Sequence, residues 1–521
     1  MPVSVFRQLG LIASVAGAAL LSGCMVGPDF ERPEAPVLDS WGKGANLTVD
    51  HRTGFTTRSA ASVPWWHVFK DEKLNGLIAE AYRQNVELQA AGVRVYQARA
   101  QLGIARGELF PQVQQLKGNS ENIRFSTQDP IIRDLERAGL VDSHISRVSA
   151  GFDAAWEIDI WGKIRRDVQS AKANLNANLA SYDDALVTLT GDIAATYVTI
   201  RELQQLVASS RKNAALQKKS LNLTQLRLEN GVASQLDVHE ATVLYNNTLA
   251  AIPGYEAELA QAYNAMSVLL SEPPGKMKAR FSGRSGFPRV PAEVAIGVPA
   301  DMLRRRPDIR QAEYIAAAQS AQIGVAKADL FPAFTIAGAI GVRADDFSNL
   351  FTGGATAALF NPGFSWNFLN YGRIQNNVRV QDAKFQEALL NYENTVLSAY
   401  AEVENALTGF LRSKQQALYL RRSLRAARSS VGEVEAQYED GTASYNRVVD
   451  AQKSLLVAEE RLIAAEANVL TNLVAVYKGL GGGWAPENVR GLISDETRAQ
   501  MADRTRWGQL LDKPVGPSGK S

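Results

Sequence analysis

Cysteine occurs once in this chain of 521 residues, at Cys24, and histidine four times, at His51, His67, His144 and His239. One thiol excludes a disulfide framework, and four scattered imidazoles give no metal-ligand cluster. The sequence holds no G-x-S-x-G elbow and no phosphate-binding P-loop, so it offers no catalytic constellation. Charge of one sign is missing as well. Lys+Arg 56 against Asp+Glu 54 leaves a net charge of +2, which argues against a nucleic-acid partner or an acidic tail. The apolar run Leu9–Leu21 is too short to span a bilayer as a helix. Proline is absent from Gly162 to Ile252 and again from Gly363 to Ala485, which leaves helix as the reading for both stretches.

The start of the chain reads as a processing segment. Arg7 and the apolar run that follows make residues 1–23 a signal peptide. It ends in Leu21-Ser22-Gly23-Cys24, which resembles a bacterial lipoprotein box. That resemblance implies a covalent lipid on Cys24 as the only attached group, with no other cofactor, and Met25 after it favours the outer membrane. Residues 24–64 then form a lipidated, extended leader carrying Pro28, Pro33 and Pro36. Order resumes at Trp65 and Trp66, expected to anchor a helix with Leu74, Leu77, Ile78 and Ala81 on one face.

Internal repetition organises the remainder. Leu226–Ala241 (LRLENGVASQLDVHEA) recurs at Gln437–Ala451 (QYEDGTASYNRVVDA), AQLGIARGELFP at Ala100 recurs as AQIGVAKADLFP at Ala321, and WEIDIWGKIRRDV at Trp156 recurs as WNFLNYGRIQNNV at Trp366. In the first pair Gly231 and Gly441 supply left-handed residues that end a helix. Ser234 and Ser444, three positions on, suit the cap of the next, so each copy is the bend of a helical hairpin. The two repeats cover 65–272 and 308–483, with a proline-rich linker at 273–307 and a polar tail at 484–521. Each repeat should hold a helix, two strands and a long helical hairpin.

Alternation is clearest before Trp161, where Val148, Ala150, Phe152, Ala154, Trp156, Ile158 and Ile160 face one way. Phe334, Ile336, Ile340 and Val342, then Phe360, Phe364, Trp366 and Phe368, repeat it. A strand near Gln112–Phe125 is assigned mainly by symmetry. Leu186, Leu189, Ile193, Tyr197, Ile200, Leu203 and Val207 alternate spacings of three and four, as do Val396, Tyr400, Val403, Leu407, Phe410 and Ala417. A helix of roughly 65 residues is about 100 Å long. Pro253 is expected to kink the returning helix of the first hairpin. Strands apolar on one face suit an outer membrane, but four cannot close a barrel. Three copies would pool twelve strands, and their hairpins a helical tunnel. The expected fold is therefore an α+β membrane protein: a trimeric 12-stranded β-barrel continued by a long α-helical barrel.

Together with WWHVF at Trp65 and LRRRPDIRQAE at Leu303, these motifs make the sequence resemble the TolC-type outer-membrane factors, in the efflux-lipoprotein branch of OprM and the nodulation-protein-T-like transporters. The resemblance runs from about Cys24 to Gly483. It implies a homotrimer in outer-membrane lipid with a mixed equatorial region, an adaptor at the exposed bends (Gly231, Ser234, Gly441, Ser444), and an inner-membrane pump of the resistance-nodulation-division class. It further implies that Asp450, in the V-D-A stretch, forms a constricting acidic ring at the periplasmic gate. Arg447, three residues earlier, replaces an acid found in some relatives, and from that position it is placed to pair with Asp450. Arg421, Arg425 and Arg428 share a face that reads as solvated or paired with acids, and Gly479–Gly483 reads as a helix stop. The alternative reading is a lipid-anchored periplasmic adaptor or coiled-coil scaffold.

Overall fold

The structure, a computed structural model, describes residues 25–34, 40–41, 55–56, 64–283, 286–297, 305–483 and 491–511. The expected signal peptide, Cys24, most of the expected leader and both ends of the expected tail lie outside the described residues. Chain order gives α1 (Glu72–Gln84), α2 (Val86–Gly107), β1 (Val113–Arg124), α3 (Pro130–Arg137), β2 (His144–Ile158), α4 (Lys163–Glu229), α5 (Gln235–Leu269), α6 (Pro307–Ala328), β3 (Ala333–Ala344), β4 (Thr356–Ser365), α7 (Arg373–Glu439), α8 (Tyr445–Gly479) and α9 (Asp495–Arg504). Four pairs of elements match in length. Both α2 and α6 have 22 residues, α4 and α7 have 67, α5 and α8 have 35, and β1 and β3 have 12, so insertions have not disturbed the duplicated plan. The helix α5 runs unbroken through Pro253.

The chain forms two compact units. The first comprises the segment to Pro33, Gln97–Ala177 and Glu313–Asn391. Its centre is a four-stranded antiparallel sheet in the order β1-β2-β3-β4. The register puts Leu116, Phe152, Ile340 and Ala358 in one row across the sheet, and Ile158, Phe334 and Phe364 in another. Because side chains alternate, the even-numbered residues share this face, and Val148, Ala150, Ala154, Trp156, Ile336 and Val342 join it. Phe364, Ile340 and Leu116 remain exposed there. The opposite face is mostly small and polar, with Ile123, Ile145 and Leu359 as apolar exceptions; Gly151 lies directly opposite Gly341, and Lys117 and Asp153 form an ion pair of 2.7 Å.

Three residues expected on this face lie beyond the strands. Ile160 follows the end of β2, and Trp366 and Phe368 follow the end of β4. The physical reason for the first is Asp159, whose carboxylate accepts the amides of Ile164 and Arg165 at 3.1 and 2.9 Å and so turns the chain into α4. For the second, the Trp366 indole donates to the Leu330 carbonyl at 3.0 Å, away from the strand ladder. The leader's Met25–Glu34 contains no helix or strand, and the buried Arg166 fastens it by donating to the carbonyls of Val26 and Gly27 at 3.1 Å each.

The second unit comprises Glu34–Tyr96, Asn178–Ala312 and the chain from Tyr392 onward. Leu186, Leu189, Ile193, Tyr197, Ile200, Leu203 and Val207 on α4 are all buried, as are Val396, Val403, Leu407, Phe410 and Ala417 on α7. The spacing of three and four thus marks the core faces of both helices. Trp65 and Trp66 are buried in a 3-10 turn, with Trp65 stacked on Tyr477 at 5.2 Å, an anchoring role. Helix α8 stops at Gly479. The Gly482 amide closes back onto the Tyr477 carbonyl at 3.0 Å through Gly481 at φ 68°, which ends the helix as glycine-rich stops do.

Arg306 ties this unit's elements together. Its buried guanidinium donates to the Gly479 carbonyl at 2.5 Å and to Asp308 and Glu402 at 2.8 Å each. Deleting one partner of such a network strands the others without compensation. Arg306→Ala should therefore cost about 3 kcal/mol, read as a lowered unfolding midpoint in detergent, whereas Arg310→Ala, which removes a looser contact of 3.3 Å to Asp183, should cost less.

Candidate functional site

The two bends share one backbone geometry. Gly231 has φ 74° and Gly441 φ 75°. The Val232 amide donates to Arg227 O and the Gly231 amide to Leu228 O, both at 2.9 Å; Thr442 and Gly441 repeat this with Gln437 O and Tyr438 O at 2.8 and 3.1 Å. These paired bonds are the Schellman ending of a helix, and the positive φ is why glycine occupies each centre.

The caps differ. Ser234 Oγ accepts the Asp237 amide at 3.2 Å while the Asp237 carboxylate accepts the Ser234 amide at 2.9 Å, a closed capping box. Ser444 stands at the equivalent N-cap, yet its side chain makes no cap hydrogen bond. The residue in the place of Asp237 is Arg447, a cation at the positive end of α8 that cannot return the second bond. The expectation that both serines cap is corrected accordingly. The expected Arg447–Asp450 pair is also absent: both residues are exposed, and no ion pair joins them among the described residues. Asp450 occupies the position that Glu240 holds in the first repeat.

Behind the bends, Val238, Ala241 and Leu244 of α5 pack with Val431, Val434 and Tyr438 of α7 and Tyr445, Val448 and Leu455 of α8 in one buried cluster. Arg227 locks the two bends together. Its guanidinium lies 4.5 Å over the Tyr438 ring and donates to the carbonyls of Tyr438 and Glu439, satisfying the end of α7. Further back, Glu459 accepts from Ser209 at 2.5 Å, Asn213 at 2.8 Å and Arg428 at 2.8 Å. Burial alone would raise this carboxyl, but the three hydrogen bonds outweigh it and hold it below the usual carboxylate range. Arg421 likewise pairs with Glu466 at 2.8 Å, so Arg421 and Arg428 contact acids, and Arg425 is exposed.

Sequence reasoning missed Arg227 and Glu459. Arg227 lies inside the repeated stretch, but Tyr438, its partner, is 211 residues away. Cys24 lies outside the described residues. Among those residues no group of His, Cys, Asp and Glu is arranged to hold a metal, and no helix is long and apolar enough to cross a membrane.

The asymmetry of the caps is measurable. Ser234→Ala should cost about 1 kcal/mol of local stability and Ser444→Ala close to none. Gly231→Ala and Gly441→Ala should each cost roughly 1 kcal/mol through φ alone, since nothing lies within 4 Å of an added Cβ at either. Hydrogen exchange of the bend amides reads all four.

The sequence profile of a family described as outer membrane efflux protein matches residues 77–272 and 298–482. Nodulation protein T of Rhizobium leguminosarum bv. viciae is 30% identical over 478 residues, 92% of this chain and 94% of its own. The solvent efflux pump outer membrane protein SrpC of Pseudomonas putida is 30% identical over 485 residues, 92% of this chain and 99% of its own. Among solved structures, one described as the outer-membrane channel OprN is 29% identical, with TM-score 0.79 over 88% of this chain and 100% of that one. The Campylobacter jejuni CmeC outer membrane channel, 20% identical, shares the fold at TM-score 0.81 over 91% of this chain and 100% of its own. With a matched profile across both repeats, the chain belongs to the outer membrane efflux protein family.

Proposed function

We infer that this chain is the outer-membrane channel of a tripartite efflux system, a passive exit duct filled by an inner-membrane pump through a periplasmic adaptor. The carrying observation is the sheet of the first unit, which is apolar on one exposed face and has no described strand on the outer edge of β1 or β4. In lipid each unpaired backbone group costs several kcal/mol, so strands there must join others until the sheet closes. Three copies supply twelve strands. From Val148 to Ile158 the apolar face runs roughly 33 Å along β2, which at a tilt of about 40° projects to about 25 Å, the height of an outer-membrane apolar band. The names of the relatives, efflux outer membrane proteins among them, support the same reading.

In this reading the long hairpins pool into an α-helical barrel in the periplasm. Cys24 carries the lipid, which adds an anchor to a barrel already held by its strands. The bends at Gly231, Ser234, Gly441 and Ser444 meet the adaptor, and the pump is of the resistance-nodulation-division class. No catalytic step is involved. Three-fold symmetry brings three Asp450 carboxylates towards one axis, where their mutual repulsion favours a bound cation. In that trimer the exposed charges of Asp450 and Arg447 would act across subunits.

The purified protein should migrate as a trimer in mild detergent, and a well-folded monomer with full strand content would contradict the barrel. In planar bilayers Asp450→Ala should raise single-channel conductance and Arg447→Ala should strengthen cation selectivity; Asp450→Ala channels with unchanged conductance and cation block would remove Asp450 from the gate. Gly231→Pro with Gly441→Pro should leave the trimer intact and abolish efflux in cells, because proline cannot adopt the φ that both bends hold.

A further inference from the structure

The buried stripe of α4 changes character along its length. From Leu186 to Val207 it is apolar or aromatic, but its continuation towards the first bend reads Ser210, Asn213, Gln217, Ser220 and Thr224, at the same spacings of three and four. Ser210, Asn213, Gln217 and Thr224 are each at most 3% exposed. The other repeat shows that helix geometry does not demand this. In α7 the positions equivalent to Ser210, Gln217 and Thr224 hold Leu420, Ala427 and Val434, and the buried residues nearby are Leu424, Val431, Val434 and Tyr438.

Helix α8 answers the polar stripe at regular intervals. Tyr445, Gln452 and Glu459 are buried and lie seven residues apart. Glu459 accepts from Ser209 and Asn213, the Gln452 amide donates to Ser220 Oγ at 2.7 Å, and the Tyr445 hydroxyl faces Thr224. Ser220 stands seven residues beyond Asn213 and Gln452 seven before Glu459, so these rungs belong to one antiparallel ladder. The equivalents of Gln452 and Glu459 in α5 are Thr242 and Leu249, so the ladder exists in one repeat pairing only.

The ladder costs stability. Both polar atoms of the Gln217 amide, Ser210 Oγ and Gln452 Oε1 are buried without a hydrogen-bond partner among the described residues. What it supplies is discrimination that the apolar residues cannot. On α4 Ala214, Leu221 and Leu228 recur every seven residues; on α8 Val448, Leu455 and Leu462 do so, as do Ala451, Ala458 and Ala465. Sliding one hairpin along the other by seven residues therefore puts like on like in every apolar layer. The polar rungs do not survive that slide. Moved towards the first bend, Glu459 reaches the level of Ser220 and loses both Ser209 and Asn213. Moved the other way, it meets the buried Leu206, which has no donor for a carboxylate.

We propose that Asn213, Ser220, Gln452 and Glu459 are positioning residues that set the register of α8 against α4, and so the height of the second bend relative to the first. A buried polar residue at one layer of a helical seam fixes register at the expense of stability in the same way. A slip of one heptad displaces Asp450, two residues before Gln452, by about 10 Å along the helix. That consequence for Asp450 rests on the gate reading above; the register rests on the ladder alone.

The test uses the full-length protein in mild detergent, with the wild type as control for Cys24. Gln217→Leu removes two unpartnered buried atoms and should raise the unfolding midpoint. Gln217→Leu/Ser220→Ala/Gln452→Leu makes the seam apolar. Register is read by intrachain disulfide formation: the ladder sets Leu221 level with Ala451, so Leu221→Cys/Ala451→Cys reports the native register and Leu221→Cys/Ala458→Cys the slipped one. With the ladder intact the first pair should oxidise and the second should not. In the apolar seam the slipped pair should rise several-fold at the expense of the native one, while the midpoint stays at or above that of the wild type. A slipped pair no more frequent in the apolar seam, or a lowered midpoint for Gln217→Leu, would overturn the proposal. If the cysteine pairs do not fold, hydrogen exchange of the triple variant decides. A slipped register takes Arg227 away from the Tyr438 and Glu439 carbonyls, so the second bend should exchange as two populations, and a single protected population counts against the ladder. Slipped register with unchanged cation block in planar bilayers would instead remove Asp450 from the gate and leave the ladder standing.

Discussion

Backbone hydrogen bonding at the edges of the sheet is the constraint on which the rest depends. A strand leaves alternate N–H and C=O groups on each side, and the outer sides of β1 and β4 find no partner strand among the described residues. In water such edges are tolerated at some risk of aggregation; in hydrocarbon they are not. The exposed apolar rows through Phe152, Ile340 and Phe364 give the sheet a face that suits lipid and a pair of edges that do not. Lipid would therefore require both edges to pair with further strands.

The duplication keeps some features and varies others. One contact between the repeats sets Trp161 on Phe331 and Lys163 on Asp329. The first bend keeps its reciprocal cap through Asp237, whereas the second places Arg447 there and gives up about 1 kcal/mol of capping.

Holding the two bends near each other falls to side chains on different hairpins. Arg227 satisfies the last carbonyls of α7, and Glu459 gathers Ser209, Asn213 and Arg428 from two other helices. The last carbonyls of a helix have no intrahelical donors, so a guanidinium delivered from a neighbour both caps the end and fixes its position. The apolar cluster around Tyr438, Tyr445 and Leu455 then packs behind it.

Periodic and punctuating features were legible in the sequence alone because each is local. Proline-free runs with spacings of three and four marked the buried faces of α4 and α7, alternation marked β2 and β3, and Gly231 and Gly441 marked the bends, since only a residue free to take positive φ fits there. Repetition did for β1 what its own pattern could not: as an edge strand with Gln114, Gly118 and Ser120 on the face shared with Phe152, it carries little alternation. Tertiary structure decided what depends on distant partners. Asp159 ended β2 before Ile160 by capping α4, Arg447 and Asp450 stayed apart despite their spacing, and Arg227 met Tyr438 across 211 residues. Side-chain pairing between helices depends on their register, and that register is set by packing across the whole second unit, which no single stretch of sequence encodes.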